Sequence, residues 1–285
     1  MAERELNFEG KSPLLYLIAT PIGNRSEFSP RAIELCKEAD FIGAEDTRNS
    51  RAFLLSYGID KPFISCHEHN EEEAGEKIVS LLKEGKKICY MSDAGYPAIS
   101  DPGERLVRRC IENGIKVSTV SGPNAGLNAL AASGLPTDHF YFEGFLPSKP
   151  SERKKELQEL KGRKETIIFY ESPHRIEKTL KDMAEVLGDR KACLARELTK
   201  SHEEFIRAGL EELAALDPAT LRGEMVIIVE GAKETKKGLK EEDILLLLKN
   251  ALNEGLKSKE AISKVAKDNN LPKNAVYDLY LKHFK

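Results

Sequence analysis

Apolar positions in the first 120 residues switch repeatedly between two periods. "LLYLIA" (14–19) is a short apolar run of the kind that forms a buried strand. "FIGA" (41–44), "FISC" (63–66), "KKICYM" (86–91) and "KVSTV" (116–120) read as four more strands. Between them, "SPRAIELCKEA" (29–39), the stretch around "SRAFLLSYG" (50–58), "EEAGEKIVSLLKEG" (72–85) and "ERLVRRCIENG" (104–114) carry apolar residues at helical spacing. Strand, helix, strand, with glycine near helix ends, predicts a parallel sheet with crossover helices. The loops after its strands therefore lie on the carboxyl edge of the sheet, where open α/β folds bind ligands.

After residue 121 the rhythm changes. "FYFEGF" (140–145), "ETIIFY" (165–170), "KACLARE" (191–197), "EEFIRAG" (203–209) and "EMVIIVEG" (224–231) are strand-like, with helical segments at 152–161 and 175–187. This predicts a second α+β domain with a mixed sheet. "ETKKGLKEED" (234–243) reads as a lysine-rich linker. Three short helices follow: "EEDILLLLKNALNEG" (241–255), "SKEAISKVAKDNN" (258–270) and "PKNAVYDLYLKHF" (272–284). Ile262, Val265 and Ala266 share one face of the second, and Val276, Leu279, Tyr280 and Phe284 one face of the third. The expected division is 12–121, 122–231 and a helical domain over 238–285. The last pair of helices has the helix-turn-helix pattern, which serves either nucleic-acid contact or packing of a three-helix bundle.

Composition narrows the class. Of 285 residues, 40% are apolar and 32% charged, a globular balance. The longest apolar candidate for a membrane span, 12–23, is broken by Pro21 and Gly23. The start "MAERELNFEG" is acidic and polar, unlike a targeting peptide, so the expected location is the cytosol. Five scattered cysteines without a CxxC pair fit a reducing compartment and no zinc site. The net charge of −3 is uneven: 232–285 carry twelve lysines against eight acidic residues, a surplus of four, and 147–164 are also basic. Two basic patches on an acidic body are compatible with a nucleic-acid partner, and equally with solvated helices.

Three loops at predicted strand ends combine small residues with proline: "ATPIGN", "SDAGYPAISDPG" (92–103) and "SGPNAG". Such loops let a ligand approach backbone N–H groups. None contains GxGxxG, and GxxxxGK[ST] is absent, so neither dinucleotide binding nor phosphoryl transfer is indicated. The glycine-rich loop of the commonest S-adenosylmethionine enzymes is also missing after the first strand. Residue chemistry alone leads to a small-molecule site between two α/β domains.

Six motifs in order along the chain go further. "LYLIATPIGN", "SDAGYPAISDPG", "SGPNA" (121–125) and "FYESPHR" (169–175) resemble the tetrapyrrole-methylase superfamily of S-adenosylmethionine methyltransferases. "GAEDTRNS" (43–50), with "CHEHNE" (66–71), resembles the branch that methylates ribosomal RNA. The resemblance covers residues 14–231, and the tail fits that branch's helical extension. It implies two α/β domains with S-adenosylmethionine in the cleft between them, and 2′-O-methylation of cytidine 1402 of 16S rRNA, best presented in the assembled small subunit. It implies a homodimer and no membrane partner.

For cofactor binding, the resemblance implies Asp93, Ala94 and Gly95 against the methionine part and Ser121, Gly122, Pro123, Asn124 and Ala125 opposite. It adds Pro21 at the cleft floor, Tyr170 and Glu171 across the cleft, and Gly223 near the adenine. A ribose hydroxyl is a poor nucleophile, so a base or charge-stabilising neighbour is expected. Glu45 and Asp46 come first as candidates, then His67 and His69, with Arg48 to hold an RNA phosphate and Arg51 and Arg175 along its backbone. Simpler roles stay open: Glu45 or Asp46 pairing with Arg48 or capping the next helix, the histidines as structural hydrogen-bonders, and Ser172 as the cap of a helix opening at Pro173. No metal is expected. Two other readings are a small-macrocycle methyltransferase of the same fold and a ligand-sensing DNA-binding regulator.

Overall fold

Successive strand residues face opposite sides of a sheet, and the first strand, β1 (Leu14–Ile18), uses both sides. Leu15 and Leu17 enter one core, and Ile18 enters the other with Tyr16 at its margin. A computed structural model describes residues 6–7, 14–67, 69–233, 239, 241–269 and 271–284. After β1 the chain runs through α1 (Pro30–Glu38), β2 (Phe41–Ala44), α2 (Thr47–Leu55), β3 (Phe63–Ser65), α3 (Glu71–Lys83), β4 (Ile88–Met91), α4 (Glu104–Glu112) and β5 (Lys116–Val120). The sheet is parallel throughout, in the order β3-β2-β4-β1-β5. Helices α1 and α2 bury Ala32, Cys36 and Leu54 on one face, while α3 and α4 bury Ile78, Leu82 and Leu106 on the other.

This order creates a switch point. From β1 the chain passes over β4 to reach β2, and from β4 it passes over β1 to reach β5. Neighbouring strands thus send their connections in opposite directions, which opens a crevice at their carboxyl ends.

The second sheet follows α5 (Ala125–Ser133). It comprises β6 (Phe140–Phe145), β7 (Thr166–Glu171), β8 (Lys191–Arg196), β9 (Glu204–Gly209) and β10 (Met225–Val229), with α6 (Pro150–Leu160), α7 (Ile176–Leu187) and α8 (Leu210–Ala214) between them. Its order is β6-β7-β10-β8-β9, with β6 and β7 parallel and the other pairs antiparallel. Helices α6, α7 and α8 cover one face and α5 the other. Periodicity does not reveal α5: its sequence AGLNALAAS is small and apolar almost all round, so no polar stripe marks it. Two helix starts bear on the sequence expectation: the expected segment 175–187 is met to within one residue, and the alternative opening at Pro173 is not. The second helix starts at Thr47 because Asp46 caps it. Helix α7 starts at Ile176, not Pro173; the Ser172 carbonyl accepts from the Arg175 and Ile176 N–H groups, and no side chain caps the helix.

Met1–Ala232 and Lys233–Lys285 are separate compact units. Most of the expected linker lies outside the described residues. In the second unit, α9 (Glu241–Asn253), α10 (Ser258–Asp268) and α11 (Lys273–Phe284) bury Leu248, Ile262, Val265 and Val276 together.

The exits of β1 and β5 touch at Gly122. A Cβ there would stand 2.7 Å from the Ala19 Cβ and 3.1 Å from its carbonyl oxygen. Gly122→Ala is expected to lower stability by about 1–3 kcal/mol, the usual cost of overpacking a tight contact. Urea denaturation measures that loss.

Candidate active site

The loop after β4, 92–103, is held from four sides. The Thr20 N–H donates to the Gly95 carbonyl at 2.8 Å, and the Gly95 N–H returns the bond at 3.0 Å. The Thr20 hydroxyl also donates to the Ser92 carbonyl at 3.1 Å. Gly95 makes this turn at φ +76°, where a side chain would be strained. The Gly122 N–H donates to the Tyr96 hydroxyl at 3.1 Å, tying in the exit of β5. Buried Tyr90 has its hydroxyl 3.3 Å from the Cys66 carbonyl and 3.2 Å from that of Pro102. The Gly103 N–H donates to buried Glu71 of α3 at 3.1 Å. Within this frame Ala98 and Ser100 adopt left-handed φ angles of 69° and 60°. Such conformations in non-glycine residues persist only where the surroundings impose them, and they concentrate at functional sites.

The loop forms one wall of a cavity of about 400 Å³ through Asp93, Ala94, Gly95, Tyr96, Ile99 and Asp101. Asn124 and Ala125 at the start of α5 and Ile22 beyond β1 add to it. The second sheet supplies Phe145, Tyr170, Glu171, Met225 and Val226. The Tyr170 ring packs edge-on against Phe142 and Phe145, with centroids 5.1 and 5.6 Å away, and its hydroxyl accepts from the Gly126 N–H at 3.1 Å.

No lysine, arginine or histidine stands among the residues lining the cavity, but four carboxylates do. Two are committed to the scaffold. Glu171 accepts from the Thr179 hydroxyl at 2.6 Å and pairs with Arg175 at 3.2 Å. Glu224 pairs with Lys200 at 2.8 Å. Among the described residues the Asp93 carboxylate receives only the Asn49 side-chain amide, at 3.3 Å. Among the described residues no hydrogen bond or ion pair reaches the Asp101 carboxylate. Burial, then the charges of Glu45 and Asp93, push its pKa up to about 6. An acidic, largely apolar cavity suits a cationic ligand with a flat apolar part and repels phosphate.

Of the residues expected to hold the cofactor, the cavity wall contains Asp93, Ala94, Gly95, Asn124, Ala125, Tyr170 and Glu171. Pro21 stands beside the wall, and the next residue, Ile22, supplies it. Ser121, Gly122 and Pro123 lie behind the loop; the Gly122 N–H is spent on Tyr96 and the Pro123 carbonyl faces Gly95. Gly223 is on no wall of this cavity. It turns at φ +84° ahead of β10, with the Glu197 carboxylate filling the place of a Cβ.

The expected catalytic group does not line the cavity either. Asp46 caps α2, accepting from the Arg48 N–H at 2.9 Å and the Asn49 N–H at 3.4 Å, and the Arg48 bond chiefly holds its carboxyl below the usual range. Arg48 projects freely at 91% side-chain exposure, 3.6 Å from Asp46. Glu45 reaches the site through its charge on Asp101. Among the described residues the buried Nδ1 of His67 has no hydrogen-bond partner, and its ring centroid is 6.1 Å from that of exposed His69. Glu68, between them, lies outside the described residues. Asp101, Tyr96 and Phe145 escape the sequence reading. Asp101 sits in the same quoted loop as Asp93, and only its missing partner distinguishes it.

Residues 14–214 match the family model of tetrapyrrole (corrin/porphyrin) methylases. The chain is 46% identical to ribosomal RNA small subunit methyltransferase I of Bacillus subtilis (strain 168), over 98% of this chain and 99% of that protein. It is 42% identical to the protein of the same name from Escherichia coli O157:H7, over 92% of this chain and 93% of that one. Among solved structures, uroporphyrin-III C-methyltransferase of Thermus thermophilus superposes with a TM-score of 0.54 at 16% identity, covering 76% of this chain and 94% of that one. Diphthine synthase superposes at 0.59 with 14% identity, covering 76% and 90%. At those identities the two structures speak for the fold alone. The two-sheet architecture, the switch-point cavity and near-full-length identity converge: the chain belongs to the tetrapyrrole methylases and, within them, to the family of ribosomal RNA small subunit methyltransferase I.

Proposed function

We propose that this protein is a cytosolic S-adenosylmethionine-dependent methyltransferase that places a methyl group on the 2′-oxygen of a cytidine, cytidine 1402, of 16S rRNA. The observation that most supports an rRNA acceptor is the 46% identity over 98% of the chain to a relative named for that substrate. The donor is supported by the cavity. S-adenosylmethionine carries an ammonium, a sulfonium, a carboxylate and a flat adenine, and the sulfonium supplies an already activated methyl group. Asp93 has a carboxylate available for the ammonium. The Asn124-capped start of α5 favours a carboxylate. Phe145, Tyr170, Met225 and Val226 offer apolar surface to the adenine.

The chain's work is then to align the acceptor oxygen with the methyl carbon and to exclude water. RNA offers this site an unpaired nucleotide. Arg48, almost fully exposed at the edge of the first sheet, holds a phosphate of the incoming strand. The finer assignment to a ribose 2′-oxygen of one cytidine rests on the resemblance carried by 43–50 and 66–71. A two-fold pair of chains belongs to the same reading, and sedimentation equilibrium tests it through the particle mass.

Small ribosomal subunits from cells lacking this protein, incubated with labelled S-adenosylmethionine, are expected to acquire label as 2′-O-methylcytidine in 16S rRNA. Label confined to a small macrocycle, or none in any RNA despite donor binding, would overturn the acceptor. Asp93→Ala is expected to weaken donor binding about 10- to 100-fold, since a hydrogen bond to a charged group contributes about 1.5–3 kcal/mol; titration calorimetry reads that change. Arg48→Glu is expected to leave donor affinity unchanged and weaken RNA binding, reducing the slope of log affinity against log salt by about 1.

A further inference from the structure

We propose that Ile99 and Phe145 form an apolar lip that receives the unpaired nucleobase of the acceptor nucleotide. This rests on the methyl-transfer reading above and deepens it by naming what the mouth of the cavity recognises.

Large apolar side chains left in water beside a cavity mark a binding surface. The donor cavity has two: Ile99 is 47% exposed and Phe145 55%, and both are on its wall. They come from opposite sides, Ile99 from the loop after β4 and Phe145 from the end of β6. Their backbones adjoin. The Ser100 Oγ is 3.3 Å from where a Gly144 Cβ would stand, so the residues next to Ile99 and Phe145 meet across the cleft.

Irregular backbone aims both side chains. Ile99 stands between Ala98 and Ser100, held left-handed at φ 69° and 60°. Strict alternation along β6 would place Phe145 with Tyr141, on the face covered by α6, α7 and α8. A bulge between Phe142 and Gly144 inserts one residue, and Gly144 turns at φ +77°. Phe145 consequently joins Phe142, and both rings pack edge-on against Tyr170. Bulges of this kind re-aim side chains beside active sites. More than half of the Phe145 side is left outside, so packing alone does not explain the bulge.

The occupant follows from depth and charge. Met225 and Val226 are buried, and with the covered part of Phe145 they give the donor's adenine its wall. The lip is the solvent-facing part of the same cavity. No lysine, arginine or histidine lines that cavity, and Asp93 and Asp101 do, so phosphate is repelled there. What remains of a nucleotide is its sugar and its base. Splayed-out bases are taken between aromatic and apolar side chains. The Ser100 hydroxyl, exposed on the same wall, offers the edge of the base a hydrogen bond. Holding the base fixes the attached ribose and so orients its 2′-hydroxyl toward the methyl carbon. Ile99 and Phe145 bind and orient; neither carries a proton.

The test uses the full-length protein with unmethylated small ribosomal subunits. Phe145→Ala and Ile99→Ala are expected to lower kcat/KM for the subunit, Phe145→Ala by about 5- to 150-fold, the range for losing one base–aromatic stack. Phe145→Tyr keeps the ring and is expected to stay within about threefold of wild type. Donor affinity, read by calorimetry, is expected to change far less than transfer in Ile99→Ala and in Phe145→Leu, which keeps an apolar wall. The contact is uncharged, so Phe145→Ala leaves the slope of log subunit affinity against log salt unchanged, in contrast to Arg48→Glu. Wild-type transfer in both alanine variants, or Phe145→Tyr as defective as Phe145→Ala, would overturn the proposal and leave the methyltransferase reading standing. So would a loss of donor affinity in Ile99→Ala equal to its loss of transfer, which assigns the lip to the donor, or a fall in particle mass on sedimentation, which assigns it to contact between two chains. Should Phe145→Ala fail to fold, Phe145→Leu and Ile99→Ala decide. No transfer by wild type would overturn the parent reading and this one with it.

Discussion

The reciprocal backbone pair between Thr20 and Gly95 is the constraint from which the site follows. In a parallel sheet, adjacent strands end side by side but their loops are independent. Here the loops after β1 and β4, which diverge at the switch point, are zipped by two hydrogen bonds and a third from the Thr20 hydroxyl. With Gly95 fixed, Tyr96 meets the exit of β5 and Gly103 meets α3. The intervening residues have no freedom to relax, which is how Ala98 and Ser100 are kept in conformations they would not choose. A rigid sheet edge thereby delivers two aspartates to one cavity.

Charge allocation does the rest. A cavity with four carboxylates and no lining cation would be self-repelling if all were free. Glu171 and Glu224 are neutralised from behind by Arg175 and Lys200, which hold the second sheet's edge in place. Burial first, then the charges of Glu45 and Asp93, raises the proton affinity of Asp101. Such a site attracts a cation and gains stability when one arrives.

The helical unit, Lys233–Lys285, has its own core around Leu248, Ile262 and Val276. Ser258 and Tyr280 share a hydrogen bond of 2.7 Å, so α10 and α11 are joined by polar as well as apolar contact. The described lysines of this segment are all exposed, so none of them is part of the bundle's core.

By itself the sequence determined the parallel first sheet, the mixed second sheet, the three tail helices and the family. These rest on local periods of two and 3.6 residues and on contiguous motifs, and both survive being read one segment at a time. Helix α5 escaped because its small apolar residues give no period, and the cap at Asp46 was legible only as one of several roles for that carboxylate. Only the tertiary structure decided which residues meet. Asp93 and Asp101 are near-identical in sequence, but one accepts from Asn49 of α2, while among the described residues no hydrogen bond or ion pair reaches the carboxylate of the other. Gly223 resembles a cofactor glycine in sequence, and in space it makes room for Glu197. A residue's partners come from strands and loops tens of residues away, and proton affinity is set by those partners, so no local pattern can encode it.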